Sequence, residues 1–226
     1  MPIVKKYKVK VVDILNPVEN LYTVTFYSEK KFHFYPGQFL HLALDDYDGT
    51  GQWPESRCFS MQNKPGENKI KISFSVKGNF TTRMANELYE GKELWLKLPY
   101  GELFTQTHNK VNTVFIAGGT GITPFLSLFT DVSFNEYINP KIYLGFRSKK
   151  YNIYENELKE ICNKTSKISI FFEDENGIID IEKIFKENGT NSDYFISGPP
   201  IMIKSFKSFL INNGLPEQKV RTDEWE

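Results

Sequence analysis

At 226 residues, 40% hydrophobic and 25% charged, the chain has globular composition and length for one large or two ordinary domains, which argues against disorder. Its 28 basic residues balance 28 acidic ones, so the overall charge points to neither a nucleic-acid nor an anionic-membrane partner. Two cysteines, Cys58 and Cys162, are too few for a four-thiolate iron–sulfur cluster, lack zinc spacing and imply no disulfide framework, so no metal is expected and a reducing compartment fits. Met1 to Tyr7 lacks the apolar core of a secretory signal, and no window approaches about 18 unbroken apolar residues. The expectation is a cytoplasmic protein without membrane insertion.

From Tyr7 to about Val76 short runs alternate with period two, as in Lys8-Val9-Lys10-Val11, Tyr22 to Phe26 and Lys69 to Phe74. Asn16-Pro17, Pro36-Gly37, Asp48-Gly49 and Pro65-Gly66 punctuate them as turns, which predicts an antiparallel barrel or sandwich. Thr81 to Tyr89 reads as one short helix closed by Gly91. Glu93 to Leu98 alternates again and ends at Pro99-Tyr100-Gly101. Residues 1–108 are expected to form the first domain.

After about Val111 the rhythm changes, and residues 109–226 read as a second domain of α/β type. Strands are expected at Val114 to Ala117, Lys141 to Phe146, Ile168 to Phe172 and Tyr194 to Ser197. Helices fit Tyr154 to Cys162, Ile181 to Phe185 and Ile201 to Ile211, the last ending at Asn213-Gly214. The informative stretch is Val114 to Leu128, which reads as a buried strand, a glycine turn and a helix start. Gly118, Gly119 and Gly121 allow a sharp turn and close approach of backbone to a ligand. Thr123 is placed to cap the helix and Pro124 suits its first turn, leaving free N–H groups to face a phosphate. The ATPase phosphate loop requires Gly-Lys-Ser/Thr, and the common dinucleotide fingerprint requires a third glycine where Pro124 stands, so neither applies. A plain glycine turn remains open on these residues alone.

The motifs Pro36-Gly37-Gln38-Phe39, Arg57-Cys58-Phe59-Ser60, Gly78-Asn79-Phe80-Thr81, Pro99-Tyr100-Gly101, Gly118 to Pro124 and Ser197-Gly198-Pro199 follow one another in the order found in the ferredoxin-NADP reductase superfamily. The chain resembles that family over nearly its whole length. The resemblance implies an antiparallel β-barrel flavin-binding domain followed by an α/β, Rossmann-like, parallel-sheet NAD(P)-binding domain. It assigns Arg57 to a flavin phosphate, Phe59 to the ribityl and ring region in place of the usual tyrosine, and Ser60 to the neighbourhood of flavin N5, with Cys58 between them. Gly78, Asn79, Phe80 and Thr81 resemble a second flavin-phosphate loop, and Thr82 is a neighbour able to contribute. In the second domain it gives Gly119, Thr120, Gly121, Thr123 and Pro124 to the pyrophosphate and ribose of a pyridine nucleotide. Gly198 and Pro199 are then expected to border the nicotinamide, with Ser197 where the family often has cysteine. At the C-terminus Asp223 matches the family acid, and Trp225 the aromatic residue that covers the flavin. Ser60, Ser197, Asp223 and Trp225 are therefore the catalytic candidates.

The reaction this implies is hydride transfer from NADH or NADPH to flavin N5, followed by delivery to an external acceptor: ferredoxin, flavodoxin, an oxygenase component, free flavin or a ferric chelate. FAD is favoured over FMN by the resemblance. The alternative is a flavin-binding accessory or sensor protein without nicotinamide turnover. Glu173-Asp174-Glu175, at a strand end where NADP-using relatives carry serine and arginine, point to NADH, against which stand Arg147, Lys149 and Lys150.

Overall fold

In the computed structural model, which describes residues 3–162 and 168–223, the alternation of Tyr7, Val9 and Val11 with Lys6, Lys8 and Lys10 buries the apolar set and leaves the lysines outside. That strand is β1 (Lys5–Val18), followed by β2 (Leu21–Tyr27), β3 (Phe39–Ala43), β4 (Ser56–Ser60), β5 (Lys69–Ser75), helix α1 (Asn79–Glu87) and β6 (Glu93–Tyr100). The six strands pair antiparallel in the order β4-β3-β6-β1-β2-β5. The two ends of the sheet meet at Gln62, just past β4, which donates its main-chain N–H to Lys71 O at 2.9 Å and accepts from Ser73 Oγ at 2.7 Å, both in β5. The sheet thus closes into a barrel whose interior holds Val24, Phe26, Leu40, Leu42, Ile70, Ile72 and Leu96, with Met84 of α1 against them.

One turn expected from the sequence is absent. Asn16 and Pro17 lie inside β1, and the chain reverses only at Glu19 and Asn20, the latter at φ 61°. The β1–β2 register slips between Leu15 and Val18, which is where a proline without an N–H can sit in a strand. The Asn16 side chain fastens the hairpin instead, donating to Val18 O at 2.8 Å and Leu21 O at 2.9 Å.

The second unit alternates strands and helices: β7 (Thr113–Gly118), α2 (Thr123–Thr130), β8 (Lys141–Phe146), α3 (Glu155–Cys162), β9 (Ile168–Phe172), α4 (Glu173–Asn176), α5 (Ile181–Asn188), β10 (Asp193–Ser197), α6 (Pro200–Asn212) and β11 (Val220–Thr222). Its sheet is parallel in the order β11-β10-β7-β8-β9. Alternate residues of each strand feed two cores. Phe115, Ala117, Leu144 and Phe195 meet α2 and α3 on one face, while Val114, Ile116, Tyr194 and Ile196 meet α5 and α6 on the other. Burial on both faces explains why these strands read as unbroken apolar runs.

The two compact units are Met1–Glu102 and Leu103–Glu226, so the division falls six residues before the break placed at 108/109. Leu103 and Phe104 pack into the core of the second unit, where Phe104 touches Phe115, Phe125 and Phe195. The polar stretch near His108 drew the boundary later. Arg221 holds that stretch, donating to Gln106 O at 3.2 Å and Thr107 O at 2.7 Å. No helix among the described residues is long and apolar enough to cross a membrane.

Candidate functional site

The path through the parallel sheet runs outward from β7 to β8 and β9, then returns to lay β10 on the other side of β7. The order reverses between β7 and β10, and ligands of open α/β sheets collect beyond the carboxyl ends of strands at such a point. Two glycine turns leave the sheet there. A Cβ on Gly121 would lie 2.5 Å from the Cα and N of Gly198 and 2.6 Å from the carbonyl carbon of Ser197. The turn after β7 is therefore seated backbone against backbone on the turn after β10. Gly118 is equally confined by Pro199 Cδ at 2.9 Å and Met202 Sδ at 3.0 Å from its would-be Cβ. Gly119 differs: at φ 55° its Cβ position meets nothing within 4 Å, so one side of the turn is open.

Thr123 does not cap α2. A single 3₁₀ turn, Gly119–Ile122, comes first, Ile122 takes the cap position without a side-chain cap bond, and Thr123 is the first helical residue. Its hydroxyl, buried, donates to Thr120 O at 2.9 Å and so fixes the turn rather than the helix end. Pro124 occupies the first turn as expected. Thr123 also spends its own N–H on Thr120 O and Pro124 has none, so the main-chain donors open to a ligand are those that begin the preceding turn.

Ser197, at the carboxyl end of β10, donates through Oγ to Asp223 Oδ2 at 3.1 Å, and Asp223 is anchored by its own N–H on Ile196 O at 3.0 Å. Both are buried, at 1% and 8% exposure. Two candidates separated by 26 positions are thus one hydrogen-bonded pair, supported by the parallel register of β11 on β10. Trp225 lies outside the described residues. Ser197→Ala is expected to destabilise the second unit by about 1–3 kcal/mol, the cost of removing a donor from a buried acceptor. Calorimetry reads this against the flavin content, which should not change; an unaltered melting temperature would show that the pair contributes nothing to stability.

Beyond β8, Arg147 accepts through its carbonyl from Asp174 N at 3.3 Å. The basic residue and the acidic residues weighed against each other in the sequence therefore share one corner, the acids forming α4 with exposed side chains.

In the first unit, Arg57 on β4 stands with its guanidinium 5.2 Å from the centroid of the Phe80 ring on α1. This brings together the two motifs assigned to flavin phosphates. The guanidinium is held by exposed partners, Glu55 Oε1 at 2.8 Å and Ser56 O at 2.9 Å. Thr81, the third residue of α1, accepts at Oγ1 from Lys77 N at 2.9 Å and Gly78 N at 3.1 Å and donates to Gly78 O at 3.0 Å. The first helical bond is from Thr82 N to Gly78 O, so the N–H groups of Asn79, Phe80 and Thr81 precede any helical partner. A Cβ on Gly78 would meet nothing within 4 Å, so the turn is open above them. Phe59 lies edge-on to Phe74 at 6.1 Å, and Ser60 pairs in register with Phe39. Two further motifs also meet: Gln38 donates to Gly101 O at 2.9 Å, and Gly101, at φ 89°, faces the Phe39 ring.

The family described as "Oxidoreductase NAD-binding domain" matches residues 115–208. Over nearly its full length the chain is similar to the phenol hydroxylase P5 protein of Acinetobacter pittii, with 25% identity over 240 residues covering 98% of this chain and 66% of that protein. It is also similar to the reductase component of propane 2-monooxygenase of Mycolicibacterium smegmatis, with 26% identity covering 85% of this chain and 59% of that one. A ferredoxin NADP+ reductase from Neisseria gonorrhoeae, solved with bound FAD and NADP, superposes with a TM-score of 0.79 at 16% identity over 97% of this chain and 98% of that one. The chain thus carries an oxidoreductase NAD-binding domain in its second unit and is similar over nearly its whole length to reductases of the ferredoxin-NADP reductase type. It spans about two thirds or less of the length of these two relatives, 66% and 59%.

In the first unit, sequence reading missed His41. Register places it opposite Cys58, with the thiol sulfur 3.6 Å from Nε2 and Ser56 Oγ 3.3 Å from Nδ1. Burial, and then Lys97, hold the imidazole below its ordinary range, and burial pushes the Cys58 thiol up despite Arg57. Both groups are therefore neutral near pH 7, and Cys58 faces His41 on the outer side of the strand that carries Arg57. Arg83 on α1 is taken up by Asp45 at 2.6 Å and Glu87 at 2.8 Å.

Proposed function

We propose that this oxidoreductase carries FAD on its first unit and takes reducing equivalents from a pyridine nucleotide on its second, for an acceptor outside these 226 residues. The observation that carries the reading is the pair of glycine turns wedged together at the switch point, with Gly119 open beside an uncapped helix start. In that arrangement Gly119, Thr120 and Gly121 hold the pyrophosphate, Thr123 and Pro124 fix the turn, and Gly198 and Pro199 border the nicotinamide. The Ser197–Asp223 pair sets a polar wall there, with the carboxylate oriented by the hydroxyl. Arg57 and the start of α1 from Gly78 to Thr82 hold the flavin phosphates, while Phe59 and Ser60 line the flavin ring. Bound FAD supplies the chemistry itself, accepting hydride at N5 from reduced nicotinamide and releasing electrons one at a time. The relative that is a reductase component of propane 2-monooxygenase supports an oxygenase component as the acceptor, ahead of ferredoxin, flavodoxin, free flavin or a ferric chelate.

Acid-released cofactor is expected to have the mass of FAD; FMN, or no flavin after reconstitution with both, would refute the assignment. NADH is the expected donor. A 2′-phosphate within about 6 Å of Glu173 or Asp174 is opposed by roughly 1–3 kcal/mol per carboxylate at effective dielectric constants of 20–80, so NADPH should trail by about tenfold in kcat/KM. Glu173→Ser with Asp174→Arg should reverse the order. A native preference for NADPH contradicts this, and a ratio unmoved by the double change places these acids away from the ribose.

A further inference from the structure

The outer face of the barrel carries a feature that neither cofactor site uses. β2 pairs with β1 from Lys10 to Val18, leaving Lys5 to Val9 held by β6 alone. Val11 turns its main-chain groups toward the β6 side, donating to Lys92 O at 2.9 Å and accepting from Gly91 N at 2.8 Å. Alternation along a strand then turns the N–H and C=O of Lys6 and Lys8 the other way, where no strand of the described residues follows. Along that edge runs a groove of about 1030 Å³ walled by β1, the start of β6 and residues 27–33. Six lysines line it, Lys5, Lys6, Lys8, Lys10, Lys30 and Lys31, against two glutamates, Glu29 and Glu93. Among the described residues only Lys8 of these six makes an ion pair, with Glu93 at 2.6 Å. In a chain of zero net charge this is a concentrated positive edge.

We propose that the Lys5–Val9 edge receives an extended acidic segment of a partner protein, which adds a strand to the main chain of Lys6 and Lys8. Strand addition takes its affinity from main-chain hydrogen bonds and its selectivity from alternate side chains. The side chains of Lys6, Lys8 and Lys10 share the outer face, so carboxylates at every second position of the added strand stand beside them. The same lysines oppose edge-to-edge pairing of two copies of this chain, because like charges would then face each other. None of the four arginines lines the groove, and arginine is the residue of choice for phosphate, which favours an acidic protein segment over a nucleic acid. The inference does not depend on the proposed redox role.

The test titrates the full chain with a fluorescein-labelled ten-residue peptide alternating glutamate and threonine. Saturable binding is expected, with slowed amide exchange at Lys6 and Lys8. Lys30→Glu with Lys31→Glu should weaken binding about tenfold or more through charge reversal, while flavin content and the melting curve report that the variant is folded. The same peptide N-methylated at alternate residues should bind at least about tenfold more weakly, having lost the main-chain donors. The proposal is overturned by an absence of saturable binding, by equal affinity for the N-methylated peptide, by unchanged exchange at Lys6 and Lys8, or by tighter binding of a ten-nucleotide oligothymidylate.

Discussion

Gly121→Val is expected to abolish reduction by pyridine nucleotide while leaving flavin bound. The new Cβ would fall 2.5 Å from the main chain of Gly198, where no rotamer change relieves it. One of the two turns must move. Overpacking commonly costs about 1–3 kcal/mol and more when backbone must shift, and at roughly 2–4 °C per kcal/mol for a chain of this size the melting temperature should fall by about 5–10 °C. Gly119→Ala is the control for stability alone, since the open space above Gly119 is where the nucleotide is proposed to lie: its φ of 55° is left-handed, but no protein atom crowds the new Cβ. That change should cost only about 1–2 kcal/mol of backbone strain. If Gly121→Val reduced at the native rate, the wedged turns would not shape the nucleotide site.

Arg57→Ala should strip the flavin. A charge-assisted contact to phosphate contributes about 1.5–3 kcal/mol, which is roughly a 10- to 150-fold loss of affinity. Stability should hardly change, because the present partner of Arg57 is Glu55 in a pair whose side chains are 53% and 54% exposed, and exposed pairs are worth about 0–1 kcal/mol. Flavin per protein after gel filtration measures the effect. Unchanged occupancy with an intact fold would remove Arg57 from the site.

Much of this fold is legible because its strands report their burial directly. The barrel strands alternate because one face is inside, and β7, β8 and β10 run apolar because both faces are covered. Asn16-Pro17 misled because a proline reads locally as a turn, whereas a register slip in β1 accommodates it. Thr123 misled in the same way: a hydroxyl before an apolar run looks like a cap, yet one 3₁₀ turn shifted the helix start onto it. The Ser197–Asp223 pair, the Gly121–Gly198 wedge and the His41–Cys58 contact are all products of strand register between distant segments. Apart from His41, period and motif identify each member alone, and only the register pairs them. Motif order carried the resemblance further than any single motif, because six short signatures in sequence constrain both domains at once.

The claim that this chain is a nicotinamide-dependent flavin reductase is tested most directly by mixing the flavin-loaded protein with NADH anaerobically in a stopped-flow spectrometer and following flavin absorbance near 450 nm. The account requires the oxidised flavin band to bleach at a rate that saturates with NADH, and to return when an acceptor is added. A flavin that stays oxidised at saturating NADH and NADPH would contradict it.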